Sequence, residues 1–398
     1  MKQRWKDSAT ILVISALMGV SGGLIGAAFS VAVNAVTAVR HHAGWLICLL
    51  PLAGVLSVLV TRGCRASNFG TADALACANE STKTVPTLLS VSVFIGTVLS
   101  HLCGASVGKE GAALQIGGGM AAVANKFVAF DEQRKRTVLL CAMAALFSAA
   151  FGTPLTAAVF VVEAARLKRE RWWELLPCGL AAYMAFFMVR EVGIEVERLP
   201  LQYETSVSLT MTVALLVAAV AASLLGELFC ITLRFSKKQT KRWLKNEYVR
   251  IAVGGLLTVA ITALIGHGAY NGSSIDELFA VFVNEQVAYE AFALKFLLTV
   301  IAVSVGFRGG QIVPSLFIGA AIGGAVGMLF GISIPLSAAV GLVAFFCAVT
   351  NCTAASVLIA WELFGGQAVG LLVIAALLSR LISGKVTLYG DKPLPKRP

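Results

Sequence analysis

One uninterrupted apolar run near the start of the chain restricts the possible fold more than any other feature. Residues 9–39 form a run of 31 residues without an ionisable side chain. An α-helix rises about 1.5 Å per residue, so this run is longer than the roughly 30 Å hydrocarbon core of a bilayer. The run therefore predicts a membrane-spanning helix, tilted to fit its length.

The composition of the whole chain agrees with this first segment. Hydrophobic residues make up 58% of the chain and charged residues 13%, whereas soluble proteins carry about a quarter charged residues. Further apolar runs follow, and several are shorter than the roughly 20 residues that a spanning helix needs. The first run is far too long for a signal-peptide core. We therefore expect an all-α polytopic membrane protein with broken and re-entrant helices, and not an enzyme.

Basic and cysteine residues exclude some other functions. The net charge is +11, but the lysines and arginines cluster between apolar runs, at residues 134–136, 166–171 and 237–242. Such clusters are typical of cytoplasmic loops, so the charge reflects membrane topology and predicts no nucleic-acid partner. The nine cysteines are scattered singly, which favours packing roles over disulfides. We expect no metal or cofactor.

The chain matches itself at an offset of about 200 residues. Three pairs of segments align in the same order: GLIGAAF (23–29) with SLLGELF (223–229), GKEGAALQIGG (108–118) with GQIVPSLFIGA (310–320), and GTPLTAAVFVVE (152–163) with NCTAASVLIAWE (351–362). A shared order indicates a duplicated unit. The prediction is a first membrane repeat over residues 1–200, a second over 201–390 and a short basic tail over 391–398, with no soluble regulatory domain.

The charges around the first helix of each repeat predict opposite orientations. Lys2, Arg4 and Lys6 precede the first helix, whereas the acidic segment 195–206 precedes its counterpart and the basic segment 234–245 follows it. Basic flanks lie in the cytoplasm, so the two repeats are expected to be inverted. Inverted-repeat transporters bind substrate near the bilayer midplane, where the N-termini of broken helices point at anions.

Two glycine-rich breaks are the candidate anion site. GASVGKEG (104–111) and GFRGGQIVP (306–314) each interrupt an apolar run and precede a helix. Such a helix start presents unpaired N–H groups and a partial positive charge. Glu110 could occupy the place of the anion when ionised and leave it when protonated. The alternative is that Glu110 caps its own helix or pairs with Lys109.

These residues resemble the CLC family of chloride channels and halide/proton antiporters. GKEGAALQIGG is similar to the family's GREGP motif, GGQIVPSLFIGAAIG to its GxFxP motif, and TNCTAASVLIAWELF to the helix that follows. The resemblance covers essentially the whole chain. It implies that Glu110 is the external gating glutamate and that the partners are a small anion, chloride or fluoride, and protons.

The resemblance also implies anion ligands. Gln311, Ile312 and Val313 would offer backbone N–H groups, and Tyr389 would offer its hydroxyl group, although without the family a tyrosine after a membrane helix predicts an interfacial anchor. The family's serine motif falls near RASNFGTAD, which makes Ser67 the candidate serine. Dimerisation and a bacterial-type inner membrane are further implications.

Several positions depart from the family pattern. Asn68, Phe69 and Gly70 stand where the serine motif has Gly, Ile and Pro, and Ala164 stands where proton-coupled chloride members have an inner glutamate. The altered serine motif and GTVLSHLCGASVGKEG (96–111) resemble the fluoride-exporting branch more closely. That branch usually has Glu and Thr in the region of Gln311 and Val313. Chloride against fluoride, and channel against antiporter, stay open.

Two other functions compete with anion transport. GVSG (19–22) fits the GxSG string of rhomboid proteases, which would make Ser21 a nucleophile, although a string this short occurs by chance among small packing residues. A carrier of organic anions would need more polar side chains at membrane depth. His101 and Glu227 are isolated polar residues there, and we expect packing or local hydrogen bonds for both.

Overall fold

The computed structural model describes residues 2–79, 84–128, 130–194, 198–201 and 208–390, with side chains from residue 10 onwards. The predicted basic tail 391–398 and most of the acidic segment 195–206 lie outside the described residues. Within the described ranges the chain forms α-helices and two short 3-10 helices, Gly44–Leu49 and Arg169–Glu174, and no strand. This is the all-α architecture that the apolar runs predict.

The described part of each half of the chain contains eight α-helices. The first half forms α1 (Lys2–His42), α2 (Leu50–Gly63), α3 (Thr71–Cys77), α4 (Leu89–Leu102), α5 (Glu110–Phe127), α6 (Glu132–Phe151), α7 (Pro154–Ala164) and α8 (Leu175–Glu191). The second half forms α9 (Leu209–Trp243), α10 (Glu247–Ile265), α11 (Ile275–Val283), α12 (Ala291–Val305), α13 (Ile312–Phe330), α14 (Ile334–Thr350), α15 (Thr353–Phe364) and α16 (Val369–Ile382).

The helices of the described chain include both long and short ones. Six helical segments of the described chain are long and apolar enough to cross a bilayer, including Thr10–His42, Leu209–Trp243 and Ile312–Phe330. Others are apolar but have only 10–17 residues, such as α7 and α15. The predicted mixture of spanning and shorter helices is therefore present.

The helices form two compact units that exchange short segments. Unit 1 consists of Met1–Cys103, Lys109–Glu197 and Arg308–Gly310, and unit 2 of Gly104–Gly108, Arg198–Phe307 and Gln311–Pro398. Part of each glycine-rich break thus belongs to the unit built from the other half of the sequence. Gly104–Gly108 packs within unit 2, and Arg308–Gly310 packs within unit 1.

In unit 1 the helices surround α6, whose residues from Thr137 to Ala150 are buried. It packs against α1, α5, α7 and α8. Glycines permit this close packing, because a Cβ added at Gly26 would collide with the Ala149 side chain and one at Gly117 would lie 2.5 Å from the Ala142 carbonyl oxygen. Small residues at such contacts let helix backbones approach closely.

Unit 2 repeats this packing around α14. Its neighbours include α9, α13, α15 and α16, which follow the same order as the neighbours of α6. Gly226 faces Ala348 as Gly26 faces Ala149, and Gly319 faces the Gly341 carbonyl oxygen as Gly117 faces that of Ala142. The matching segments found in the sequence therefore occupy matching places in the two units.

Candidate functional site

Glu110 is the first residue of α5, which belongs to unit 1, and it is buried. Its side chain is 3% exposed. Oxygen Oε2 is buried and accepts no hydrogen bond from the residues that the structure describes. An ionised carboxylate in such surroundings is costly. The position therefore suits a carboxyl group that binds a proton or moves away.

The first turn of α5 is held by a short network within unit 1. The Thr71 hydroxyl, at the start of α3, donates to the Gly111 carbonyl at 3.1 Å. Gln115, one turn further along α5, donates from Nε2 to the Thr71 hydroxyl oxygen at 3.0 Å. On the other side Gly310 packs on the backbone of Gly111. The residue next to Glu110 is thus fixed by two different segments.

Ser67, the candidate serine ligand, lies in the loop between α2 and α3. We call residues 65–70 the Ser67 loop. Ser67 and Asn68 are both exposed. Arg65 and Asn68 adopt the left-handed backbone region, with φ of 52° and 60°. This conformation costs energy for an arginine, whereas asparagine adopts it more readily. The structure places Ser67 on a tightly curved surface loop, and its role as an anion ligand stays a prediction.

In unit 2 the start of α13 offers backbone donors. Gln311 is the residue before the helix, and Ile312 and Val313 are its first two residues. The side chains of Ile312 and Val313 are buried, each 1% exposed. The first turn of a helix has no internal acceptor for its N–H groups, and no described residue accepts from the N–H of Ile312 or Val313. Pro314 follows without an N–H, as the sequence indicates.

Tyr389 follows α16 in a short segment that is anchored within unit 2. The Leu388 N–H donates to the Val349 carbonyl at 2.9 Å. The Tyr389 N–H donates to the Thr387 hydroxyl at 3.3 Å. Tyr389 is half-buried. The bond from Leu388 holds this segment against the end of α14.

The first glycine-rich break is clamped in unit 2 by polar residues of α12 that the sequence analysis did not single out. The Ser106 and Thr299 hydroxyl groups are 2.9 Å apart, and the Gly272 N–H donates to the Gly104 carbonyl at 3.3 Å. Lys295, one turn before Thr299, is fully buried and donates to the carbonyls of Tyr270, at 3.1 Å, and Gly272, at 2.6 Å. A lysine inside an apolar run was the signal for this clamp.

Ser21 and His101, the polar residues weighed in the sequence analysis, are bound to their own helices. The Ser21 hydroxyl donates to the Leu17 carbonyl at 2.6 Å. His101 Nδ1 lies 2.9 Å from the Thr97 carbonyl oxygen, which is the local hydrogen bond that we expected. The carboxyl end of Glu227 lies against Gly384.

Comparison with known proteins gives matches over nearly the whole chain. The family model described as "Voltage gated chloride channel" matches residues 53–384. The "Chloride/fluoride channel protein" of Pseudomonas syringae pv. tomato is 31% identical over 388 residues, which cover 95% of this chain and 85% of the relative.

Solved structures show the same similarity. A "CLC-type fluoride/proton antiporter" superposes with a TM-score of 0.91 at 30% identity, covering 97% of this chain and 98% of the other. A "slow cyanobacterial Cl-/H+ antiporter" superposes with a TM-score of 0.79 at 20% identity, covering 94% of both chains. The second likeness shows the fold alone.

Proposed function

The chain belongs to the voltage-gated chloride channel family, the CLC family, and we propose that it exchanges fluoride for protons across a membrane. It is a multi-pass membrane protein and a CLC-type halide/proton antiporter or channel. The rhomboid alternative with Ser21 is not supported by the family. The proposal of fluoride is carried by the end-to-end match to a fluoride/proton antiporter at 30% identity.

Glu110 is the proposed gating and proton-coupling residue. Its burial and the unpaired Oε2 disfavour a stationary carboxylate. When ionised, the side chain competes with a halide for the electropositive start of α5. When protonated, it loses that competition and releases the place to the ion. One side chain can thereby link proton uptake to halide movement.

Backbone donors are the proposed main anion ligands. Gln311, Ile312 and Val313 would contribute N–H groups, since the side chains of Ile312 and Val313 are apolar. Tyr389 and Ser67 would contribute hydroxyl groups. A small anion loses its strongly bound hydration water when it enters such a site. Selectivity among anions therefore depends on how well these N–H and O–H donors replace that water.

A flux assay in liposomes tests the proposal. Purified protein is reconstituted, and fluoride and chloride efflux are recorded in parallel with external pH, with and without an imposed pH gradient. We expect a proton gradient to drive fluoride against its own gradient, with chloride moving more slowly. Chloride as the faster ion would contradict fluoride as substrate, and halide flux without proton movement would identify a channel.

Location and assembly are further parts of the proposal. We place the protein in the inner membrane of a bacterium, in line with its Pseudomonas relative, and we infer a homodimer within the lipid bilayer. Cross-linking in liposomes at low protein density distinguishes a dimer from a monomer. A species of one chain only, under conditions in which transport is active, would contradict the dimer.

A further inference from the structure

Arg308 holds both ends of the dipeptide that carries the candidate serine. This arginine belongs to the second glycine-rich break, and it packs within unit 1. Its Nη2 donates to the Ala66 carbonyl at 2.9 Å, and its Nη1 donates to the Phe69 carbonyl at 2.9 Å. The two acceptors are the residues immediately before Ser67 and immediately after Asn68. One guanidinium group thus fixes the backbone on both sides of these two polar residues.

The Ser67 loop needs such support because its backbone is strained. The left-handed conformation of Arg65 costs energy and persists only where the surroundings enforce it. A planar guanidinium group has several N–H donors in a fixed geometry, so it can donate hydrogen bonds to two carbonyl groups at once. A lysine ammonium on a flexible stem is less suited to this arrangement. The loop in turn exposes the side chains of Ser67 and Asn68. Arg308 therefore determines how these two side chains are presented.

The arginine is itself held in a close-fitting place. Its Nε donates to the Thr61 hydroxyl oxygen at 3.3 Å, and the same Thr61 oxygen accepts from the Ser92 hydroxyl at 3.1 Å. Gly96 on α4 leaves room for the stem, since a Cβ added there would lie 2.7 Å from Cγ and 2.8 Å from Cβ of Arg308. The glycine at position 96 is thus a structural condition for this placement.

The same short segment also reaches the start of α5. Two residues after Arg308, Gly310 packs on the backbone of Gly111, the residue that follows Glu110. All of these contacts lie within unit 1. We propose that Arg308 is a positioning residue that sets the geometry of the Ser67–Asn68 dipeptide and thereby the halide affinity and selectivity of the protein. This inference rests on the proposed function, in which the Ser67 loop contacts the transported anion.

The test compares two variants that disturb the arginine in different ways. Arg308→Lys keeps the positive charge but removes the fork that binds the two carbonyls. Gly96→Ala keeps the guanidinium and displaces it through the added methyl group. Arg40→Lys is the matched control, because Arg40 in unit 1 also donates to a backbone carbonyl, that of His101, at 3.1 Å. Size-exclusion elution and circular dichroism verify that each variant is folded.

The readouts are the KM for fluoride, the KM for chloride and the ratio of the two turnover rates in liposomes. We expect both variants to change the fluoride KM and the selectivity ratio by about tenfold, the size of effect that follows loss of hydrogen bonds from a charged donor. The Arg40→Lys control should keep both values. Proton coupling should persist in all three variants, since Glu110 is intact.

Two outcomes would overturn the inference. One is a KM and a selectivity ratio that stay within about twofold of wild type in both folded variants. The other is an equal loss of fluoride and chloride turnover with an unchanged ratio, which describes general destabilisation. The wild-type protein is measured in the same assay. If it showed no proton-coupled halide flux, the proposed function itself would be wrong, and this result is distinct from both outcomes above.

Discussion

Gly310 packs directly on the backbone of Gly111, so that the second glycine-rich break supports the first turn of α5. A Cβ at position 310 would lie 2.7 Å from the Gly111 Cα atom and nearer still to its nitrogen. Real Cβ atoms do not approach backbone this closely, and backbone atoms cannot rotate away as a flexible side chain can. The relationship fixes the residue next to the proposed gate.

Gly310→Ala should therefore reduce halide flux strongly. The added methyl group must push either the break or the start of α5 aside, and overpacking of this kind costs about 1–3 kcal/mol. We expect a flux reduction of about tenfold or more, measured in liposomes at equal protein density. Gly179→Ala is the control, because a Cβ at Gly179 on α8 meets no atom within 4 Å. Equal flux in the two variants would show that the Gly310–Gly111 contact has no functional role.

Glu110→Gln should separate halide movement from proton movement. The amide has the size of the protonated carboxyl group but cannot release a proton, so it imitates one state of the proposed gate permanently. We expect halide flux to continue and to become insensitive to pH, while proton flux falls by about a hundredfold or more, the usual scale for removing a proton-transfer group. Halide and pH electrodes record both fluxes in one experiment.

The control for this variant is Glu132→Gln, which removes a carboxylate that forms an exposed salt bridge with Lys135. In Glu132→Gln the ratio of halide flux to proton flux should equal that of the wild-type protein. Persistence of proton-coupled flux in Glu110→Gln would remove Glu110 from the mechanism and leave the alternative that it only caps its helix.

Local features of the site could be predicted from the sequence, whereas its long-range contacts could not. The position of Glu110 at a helix start followed from the glycines before it and the apolar residues after it. The contact of Arg308 with Ala66 and Phe69 joins residues about 240 positions apart. No local sequence pattern predicts such a contact. Every residue has a backbone carbonyl group, so the acceptor of this hydrogen bond can be a residue of any type. An arginine within a glycine-rich break was the available signal.

The conformation of the Ser67 loop could not be predicted from the sequence either. The departures at Asn68, Phe69 and Gly70 left Ser67 as a candidate ligand without indicating the shape of its loop. Arg65 adopts a left-handed conformation, which an arginine, unlike a glycine, does not indicate in a sequence. By contrast, the sequence match between the two halves aligns Gly26 with Gly226, and both glycines lie at close helix contacts. Such contacts require a small residue in both copies of the repeat.

Lys295→Met should destabilise unit 2. The substitution keeps most of the side-chain volume but leaves the carbonyls of Tyr270 and Gly272 without their buried donor, and unsatisfied buried acceptors cost about 1–3 kcal/mol each. We expect a lower unfolding temperature in detergent and a lower yield of folded protein. Lys126→Met is the control, because the Lys126 contact with Thr87 is exposed. Equal thermal stability of the two variants would contradict a structural role for the buried lysine.

Tyr389→Phe should weaken halide binding and leave the fold intact. The backbone anchor from the Leu388 N–H to the Val349 carbonyl does not involve the phenol, so the segment after α16 should keep its place. If the hydroxyl group donates to the transported anion, its loss should raise the halide KM by about tenfold, in line with a hydrogen bond to a charged acceptor. Tyr289→Phe is the control, because that side chain is 57% exposed. An unchanged KM in Tyr389→Phe, with normal flux, would assign Tyr389 to packing and confine the proposed ligands to backbone groups and the Ser67 loop.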